Sequence, residues 1–563
     1  MKVLGDFKRV ASKETIKYDI SGFNKGVNSV KSHFINVDSE NRVKWVVNRV
    51  CDHAGGPLIL RGDCAVCPMH NWQLDMETLV YKNSAGTRKQ CLDFIVEGKE
   101  LTVESDITRL VNDFKELLEP DESNESYFRW HNHACVEVSH AGTSLITDPW
   151  LIGSAFINGW WLKTPTREDA LNALKSSDFV YISHNHPDHL NPQTLSYLNK
   201  NTKILVPPFI SRSTFKYLET LGFDNIHELE FQKVYELEKG FQIAILKSGD
   251  FRDDSGLYIA CGDKELLLTV DANYLNGHNL PENIDYLLTS FAGGASGYPF
   301  IYDNFSDEEK SNIAKRNLGA TLARVRQYLS ITKPRFYMPY AGMFETALVR
   351  DNYITELNRK NNYTDLKQIT EAIGVKYLKP DSTSKIMLMS GEMCEVLSDV
   401  VEVPDPKNSL ELFKRENPRL TLSELSEYFT ESEFSGNQIL QIIQTDDNFQ
   451  PLEEVFTFVQ FGEEILVKEQ NLDQIIPGKK GFNVMKMYVR YESLSHLIRN
   501  KMPWEDLTIG YQCRIIREPN IYEADFWYYF TNIYIKGIHK RSTKDCRSCA
   551  VIETKLDNIK LWI

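Results

Sequence analysis

The sequence predicts an α+β protein of several domains: an all-β N-terminal part over residues 1–125, a layered part mixing strands and helices over 126–390, and a mostly helical extension over 391–563. Three observations predict it. Short segments of alternating apolar and polar residues, punctuated by turn residues, dominate the first part. In the second, helical periodicity at Arg167 to Ser176 gives way to the strand-like run Phe179-Val180-Tyr181-Ile182, and strands and helices go on alternating through Leu205, Ile243-Ala244-Ile245-Leu246 and Leu266-Leu267-Leu268-Thr269-Val270-Asp271. After Pro404-Asp405-Pro406, residues 420–429, 439–443 and 493–501 read as helices, the last stopped by Pro503. A chain of 563 residues accommodates about two to four domains.

In the N-terminal part, the strand-like Val43-Lys44-Trp45-Val46-Val47-Asn48-Arg49-Val50 leads into Cys51-Asp52-His53-Ala54-Gly55-Gly56-Pro57. A second run, Leu58-Ile59-Leu60, precedes Cys67-Pro68-Met69-His70. Two ligand pairs result, Cys51-x-His53 and Cys67-x-x-His70. Two thiolates on one iron and two imidazoles on the other is the ligation of a Rieske [2Fe–2S] centre. The glycines let backbone amides approach the sulfurs. A Cys₂His₂ zinc site uses the same residue types, and Cys64-x-x-Cys67 alone could be half of a zinc ribbon. The strand-rich surroundings, the paired glycines and Pro68 favour the cluster. Cys64 and Cys91 read as ordinary thiols. Gly56 and Met69 stand where the high-potential respiratory type carries an extra cysteine pair, so the pattern resembles the oxygenase or ferredoxin type.

The central part holds Ser183-His184-Asn185-His186-Pro187-Asp188-His189-Leu190 directly after its buried strand. Three imidazoles and a carboxylate on one turn form a metal nest, suited to zinc, iron, nickel or manganese. The H-x-H-x-D-H pattern resembles the metal signature of the metallo-β-lactamase fold, which implies an αββα sandwich. Arg129 to Val138 and Ser144 to Trp150 then read as its early hairpin. Asp271 ends an apolar strand, and in that fold an aspartate there completes or bridges the metal site. His133 and His140 could line the site or be satisfied core histidines; His278 is equally open. The stretches 247–254 and 337–342, where the hydrolases supply further histidines, have none. A single metal held by a subset of His184, His186, Asp188, His189 and Asp271 is therefore expected. Asp188, His189 and Asp271 are the expected catalytic residues, with Asp188 either a ligand or a proton relay.

The two sites make sense together. A Rieske cluster moves one electron at a time, and zinc has no redox chemistry. Imidazole and carboxylate with open positions are how non-haem iron(II) oxygenases activate dioxygen. The expectation is a mononuclear iron, with zinc as the alternative, that hydroxylates a C–H bond using electrons from the cluster. Further stretches carry a resemblance over nearly the whole chain: Thr147-Asp148-Pro149-Trp150-Leu151-Ile152-Gly153, Ala155-Phe156-Ile157-Asn158-Gly159-Trp160-Trp161, Phe291-Ala292-Gly293-Gly294-Ala295-Ser296-Gly297-Tyr298-Pro299, Leu507-Thr508-Ile509-Gly510-Tyr511-Gln512 and Phe526-Trp527. With both ligand patterns, these resemble the CMP-N-acetylneuraminate hydroxylase family. The resemblance implies hydroxylation of the acetyl methyl of CMP-N-acetylneuraminate, or a related nucleotide sugar, to the N-glycolyl form. It implies dioxygen and electrons from NADH, passed through an external reductase and a cytochrome b5- or ferredoxin-type donor. The rival reading is a metal-dependent hydrolase with a redox-sensing Rieske domain.

Phe291 to Pro299 has glycines that allow close backbone approach to a ligand, so Gly293, Gly294 and Ser296 are candidate substrate residues. Trp160 and Trp161 could stack on a base or sugar. Arg252 or Arg335 could pair with a phosphate or carboxylate. The net charge of −14 gives no basic field for nucleic acid or anionic membrane. No apolar run approaches the roughly 18 residues that a membrane helix needs. With no signal-peptide core at Met1-Lys2-Val3-Leu4-Gly5-Asp6, the ten cysteines suggest a reducing, cytoplasmic setting. Cys546-x-x-Cys549 lacks a second half. The C-terminal part is expected to pack on the second domain or form a subunit interface, which leaves an oligomer open.

Overall fold

A computed structural model of the chain describes residues 1–52, 58–67, 72–82, 88–119, 122, 125–249, 252–294, 296–521 and 523–538. Two eight-stranded sheets form the centre. One runs in the order Lys2–Asp6, Lys233–Glu238, Phe241–Lys247, Ser255–Cys261, Lys264–Leu268, Tyr286–Thr289, Phe336–Pro339 and Lys376–Tyr377. The other runs Ile226–Glu228, Lys203–Val206, Phe179–Tyr181, Thr143–Thr147, Cys135–His140, Tyr127–Asn132, Ser384–Met387 and Met393–Glu395. Their inner faces share one core, with Trp130, Val136, Val138, Tyr181 and Leu205 meeting Ile243, Ile245, Leu257, Ile259 and Leu266. Helices Glu168–Ser176 and Ser213–Thr220 cover one outer face, setting Leu171, Leu174, Tyr217 and Leu218 on Ile146, Val180, Ile204 and Val206. The long helix Asp307–Thr332, started by the Ser306–Glu309 capping box, joins Tyr363–Glu371 over the other face through Val325, Leu329 and Leu366. The layers are α/β/β/α, as the nest pattern implied.

The strand before the nest, Phe179–Tyr181, lies parallel between Thr143–Thr147 and Lys203–Val206. Both its faces are covered, which is why its sequence is a continuous apolar run rather than an alternating one.

The N-terminal part is built of strands. Three antiparallel three-stranded sheets are formed by Lys8–Asp19, Glu100–Val111 and Asp93–Glu97; by Gly26–Val30, His33–Val37 and Val43–Asn48; and by Ile59–Arg61, Cys64–Val66 and Gln73–Asp75. Its first strand departs from the expected division at residue 125. Lys2–Asp6 pairs antiparallel with Lys233–Glu238 at the edge of the central sheet.

The C-terminal part also corrects its expectation: it is not mostly helical. A five-stranded sheet runs Leu466–Asn471, Val455–Gln460, Gln438–Thr445, Asn483–Arg490 and Cys513–Glu518. Helices Pro406–Glu416, Leu422–Ser432, Tyr491–Asn500 and Ala524–Thr531 accompany it. The misread segment, 439–443, lies in the central strand, where every residue from Gln438 to Thr445 is buried. A strand covered on both faces need not alternate, and here Gln438, Gln441 and Gln444 recur every third residue, which reads as a helix face. Among the described residues, no helix is long and apolar enough to cross a membrane.

Candidate metal centre

The nest sits where the strand Phe179–Tyr181 ends. Asp148, just past the neighbouring strand Thr143–Thr147, accepts from Ser183 N at 2.7 Å and so turns the chain out of the sheet. The turn then closes on itself, with His189 N and Leu190 N both donating to His186 O at 2.9 and 2.7 Å. Asn191 caps the helix Pro192–Leu195 through Thr194 N and donates back to Pro187 O.

These bonds hold three rings together. His184 Nε2 and His186 Nδ1 lie 2.9 Å apart. His189 Nε2 is 3.4 Å from Asp188 Oδ2 and 3.6 Å from Asp271 Oδ2. His133, in the bend between Tyr127–Asn132 and Cys135–His140, adds Nε2 at 3.2 Å from Asp188 Oδ2. Two overlapping donor sets follow, His184, His189 and Asp271, and His133, Asp188 and His189. His184, His189, Asp188 and His133 are buried. Asp188 Oδ1 and His189 Nε2 are buried with no hydrogen-bond partner among the described residues. Buried polar atoms are normally satisfied, so this arrangement of nitrogen and oxygen donors fits a bound metal ion.

The electrostatics agree. Burial pushes His184 well below the ordinary imidazole range, and its histidine neighbours add to this. Burial also opposes charge on His186, but the Glu505 carboxylate outweighs it and raises that ring. Between Asp188 and His189, mutual attraction overcomes burial: the carboxyl is held well below its usual range and the imidazole well above. Burial pushes Asp506 up to about 8, against the pull of His186.

The five residues of the predicted nest thus converge, joined by His133. His140 does not belong: its ring bonds Ser126 Oγ at 2.7 Å. His278 packs edge-on against Tyr274 with ring centroids 4.4 Å apart, outside both donor sets. Sequence reasoning missed Asp148, Asp254 and Glu505. Asp148 stands 3.2 Å from His189 Nδ1 and Asp254 3.6 Å from His184 Nδ1. Asp148 carried one signal, its place at a strand end beside the nest strand. Glu505 carried none.

At the first predicted centre, Cys51 and Cys67 are buried in one small core with Phe34, Val47, Leu58, Trp72, Leu74 and Tyr81. Tyr81 donates to Asp52 at 2.8 Å, and Lys89 donates to Asp52 Oδ2 and Val50 O at 3.1 and 2.6 Å, tying down the loop base. Two thiols buried in one core fit the sulfur half of the expected cluster. His53 and His70, its expected imidazole ligands, lie outside the described residues, as do Cys546 and Cys549. Asp63, Cys64 and Asp75 also gather, but Lys82 already lies 3.3 Å from both carboxylates.

The substrate candidates divide. Trp160 offers no stacking face: Phe344 lies on it with centroids 3.5 Å apart and planes at 9°, and its Nε1–H donates to Ile509 O. Trp161 is half-buried and donates to Asn158 O. Gly293 and Gly294 have φ of +66° and +63°, and a Cβ on Gly294 would lie 2.3 Å from Asn358 Oδ1. Ser296 is exposed. Arg252 donates to Asp271 O at 3.1 Å beside the nest, whereas Arg335 pairs with Asp285 at the opposite end of its strand.

Residues 127–250 match the β-lactamase superfamily domain. The mouse protein named cytidine monophosphate-N-acetylneuraminic acid hydroxylase is 28% identical over 562 residues, covering 91% of this chain and 94% of its own. The Xenopus laevis protein of that name is 29% identical, covering 85% and 86%. Among solved structures, CmlA, a diiron β-hydroxylase from Streptomyces venezuelae, is 17% identical with a TM-score of 0.34, covering 48% of this chain and 54% of its own. The chain is an enzyme with a β-lactamase superfamily domain and is a relative, over about nine tenths of its length, of the cytidine monophosphate-N-acetylneuraminic acid hydroxylases.

Proposed function

We propose that the chain is a Rieske-dependent monooxygenase that hydroxylates the acetyl methyl of CMP-N-acetylneuraminate or a closely related nucleotide sugar. The methyl gains one oxygen atom of dioxygen; two electrons and two protons carry the other to water. The electrons come from NADH through an external reductase and a cytochrome b5- or ferredoxin-type donor, in the cytoplasm.

The donor set carries this reading. Among the described residues the nest offers nitrogen and oxygen and no thiolate, and Cys51 and Cys67 lie buried in the N-terminal core. Such a set with open positions suits iron(II). His184, His186, His189, Asp188 and Asp271 would hold the ion, with His133 beside them; Cys51, Cys67, His53 and His70 would hold the cluster. Bound iron supplies dioxygen activation, and the cluster supplies single electrons. The protein's part is to keep His184 and His189 oriented, to exclude water from a nest lined by buried Trp150 and Phe344, and to hold Asp188 ionised for proton handling. Arg252, and the loop of Gly293, Gly294 and Ser296, are the groups proposed to meet the sugar nucleotide.

Metal and acid-labile sulfide analysis of anaerobically purified protein tests this, with electron paramagnetic resonance after dithionite reduction. About three irons per chain with labile sulfide and a Rieske-type signal are expected; roughly four irons would make the second site dinuclear. Cys67→Ala should abolish oxygen-dependent turnover of CMP-N-acetylneuraminate. Stoichiometric zinc at the nest, with turnover that survives Cys67→Ala and needs no oxygen, would establish the hydrolase instead.

A further inference from the structure

Glu505 opens the short helix Glu505–Ile509 in the C-terminal part, yet its Oε2 lies 3.4 Å from His186 Nε2. The other nitrogen of that ring, Nδ1, faces His184 Nε2 at 2.9 Å. The two nitrogens of an imidazole diverge. An ion held between His184 Nε2 and His186 Nδ1 therefore lies on the far side of the ring from Glu505, which rules the carboxylate out as a ligand of that ion.

The same arrangement recurs on the other two histidines. His184 Nδ1 is 2.9 Å from Ser183 Oγ and 3.6 Å from Asp254 Oδ1, and His189 Nδ1 lies 3.2 Å from Asp148 Oδ2, close to it but without the alignment of a hydrogen bond. Each ring thus turns one nitrogen inward and sets the other against an oxygen. Metal-binding histidines are oriented in this way, because an acceptor on one nitrogen fixes the tautomer and leaves the other lone pair for the ion. Ser183, Asp254 and Asp148 come from the central sandwich; Glu505 does not.

Two sequence stretches that the proposed chemistry left unused explain how Glu505 is held there. A Cβ on Gly159 would lie 2.3 Å from Gly510 O, and one on Gly510 would lie 2.0 Å from Phe156 O, so only glycine fits on either side. Trp160 Nε1–H donates to Ile509 O at 3.1 Å across the same contact. The Gly159-Trp160 stretch and the Ile509-Gly510 stretch are two halves of one clamp, closed a few residues from Glu505. Nearer the nest, Asn185 donates to Tyr534 OH at 2.9 Å, a second tie to the C-terminal part.

We propose that Glu505 is a positioning residue for the metal centre: its carboxylate accepts the Nε2–H of His186 and directs Nδ1 at the ion, and the Gly159–Gly510 clamp sets its place. This rests on the reading that the nest holds a metal. The test titrates the metal-depleted full-length chain with Co²⁺ and follows visible absorption and affinity. Wild type should bind with a d–d spectrum. Glu505→Ala should bind about 10- to 100-fold more weakly with an altered spectrum. Glu505→Gln, which keeps an acceptor but not the charge, should lose less. Gly510→Ala should reproduce the alanine defect by displacing the helix. Glu464→Ala, an exposed carboxylate of the same region, should match wild type. Wild-type affinity and spectrum in both Glu505 variants would overturn the proposal, and the glutamine variant decides it if the alanine chain fails to fold. A folded wild type that binds no Co²⁺ would instead overturn the metal reading beneath it.

Discussion

Cys51 and Cys67 sit close in sequence, on loops of two thin three-stranded sheets, in a core of about a dozen side chains. The histidine nest is the opposite case. Its turn is contiguous, but His133, Asp271 and Glu505 reach it from other elements, Glu505 from 319 positions beyond His186. The nest also rests on a sandwich that buries apolar side chains from both eight-stranded sheets. The difference teaches where each centre draws its rigidity. If its thiols hold the proposed cluster, the small core gains much of its order from it, since metal binding and folding are linked. A large core holds its ligands in place whether or not an ion is bound.

Paired ligand variants break that comparison most directly. Asp188→Ala and Cys67→Ala should each reduce hydroxylation below detection. Their structural effects should differ. Cys67→Ala should expose the strands 26–48 and 59–75 to hydrogen exchange, with a loss of local stability of at least ~2 kcal/mol. Asp188→Ala should leave the protection of both central sheets intact and the Rieske signal unchanged. Equal loss of protection around both centres would show that the nest, too, is organised by its ion.

The same contrast decides what was legible in the sequence. The nest was readable because strand, turn and ligands are adjacent, and the sandwich because the H-x-H-x-D-H pattern resembles the metal signature of that fold. Asp271 was readable as a carboxylate at a strand end. The carboxylates behind the histidines were not, because nothing local marks Glu505 as facing His186. Trp160 was misread as a candidate stacking residue for a related reason: its partners, Phe344 and Ile509, are distant in the chain. The five-stranded C-terminal sheet was missed because its central strand is buried on both faces and carries Gln438, Gln441 and Gln444 every third residue, a spacing closer to a helix than to the alternation of a strand.

A smaller effect sharpens the point about remote assembly. Trp160→Phe removes the donor to Ile509 O and leaves space beside Phe344. A lost buried hydrogen bond and a partial cavity together predict a destabilisation of about 1–3 kcal/mol, read as a lowered urea midpoint at unchanged slope. Because the same bond clamps the helix that carries Glu505, Co²⁺ affinity at the nest should fall as well. The N-terminal strands should keep their exchange protection, since Trp160 packs in a different core from theirs. Stability loss with unchanged Co²⁺ affinity would separate the clamp from the metal centre.

The smallest expected effect uses one histidine in each region, His33 buried and His278 half-buried. Burial lowers His33, in the N-terminal strand His33–Val37, to about 4, and lowers His278, in the central part, to about 3. An unfolded histidine titrates near 6.5. Both groups are therefore neutral in the folded chain while their unfolded counterparts take up a proton below that value. The unfolded state binds more protons, so stability is full above about pH 6.5 and falls as the pH drops. The loss levels off near 4 for His33 and near 3 for His278, at no more than about 1.4 kcal/mol per pH unit for either group. Acid also protonates the ligands of both centres, so the informative quantity is the difference between variant and wild type. His278→Phe, which keeps a ring against Tyr274, should flatten the decline of the urea midpoint between pH 6.5 and 4. His33→Gln should do so only for the exchange of the N-terminal strands, because the two histidines lie in separate cores. If His33→Gln also flattened the acid loss of the central sheets, the two regions would unfold as one unit, and the contrast in how their centres are held would lose its basis.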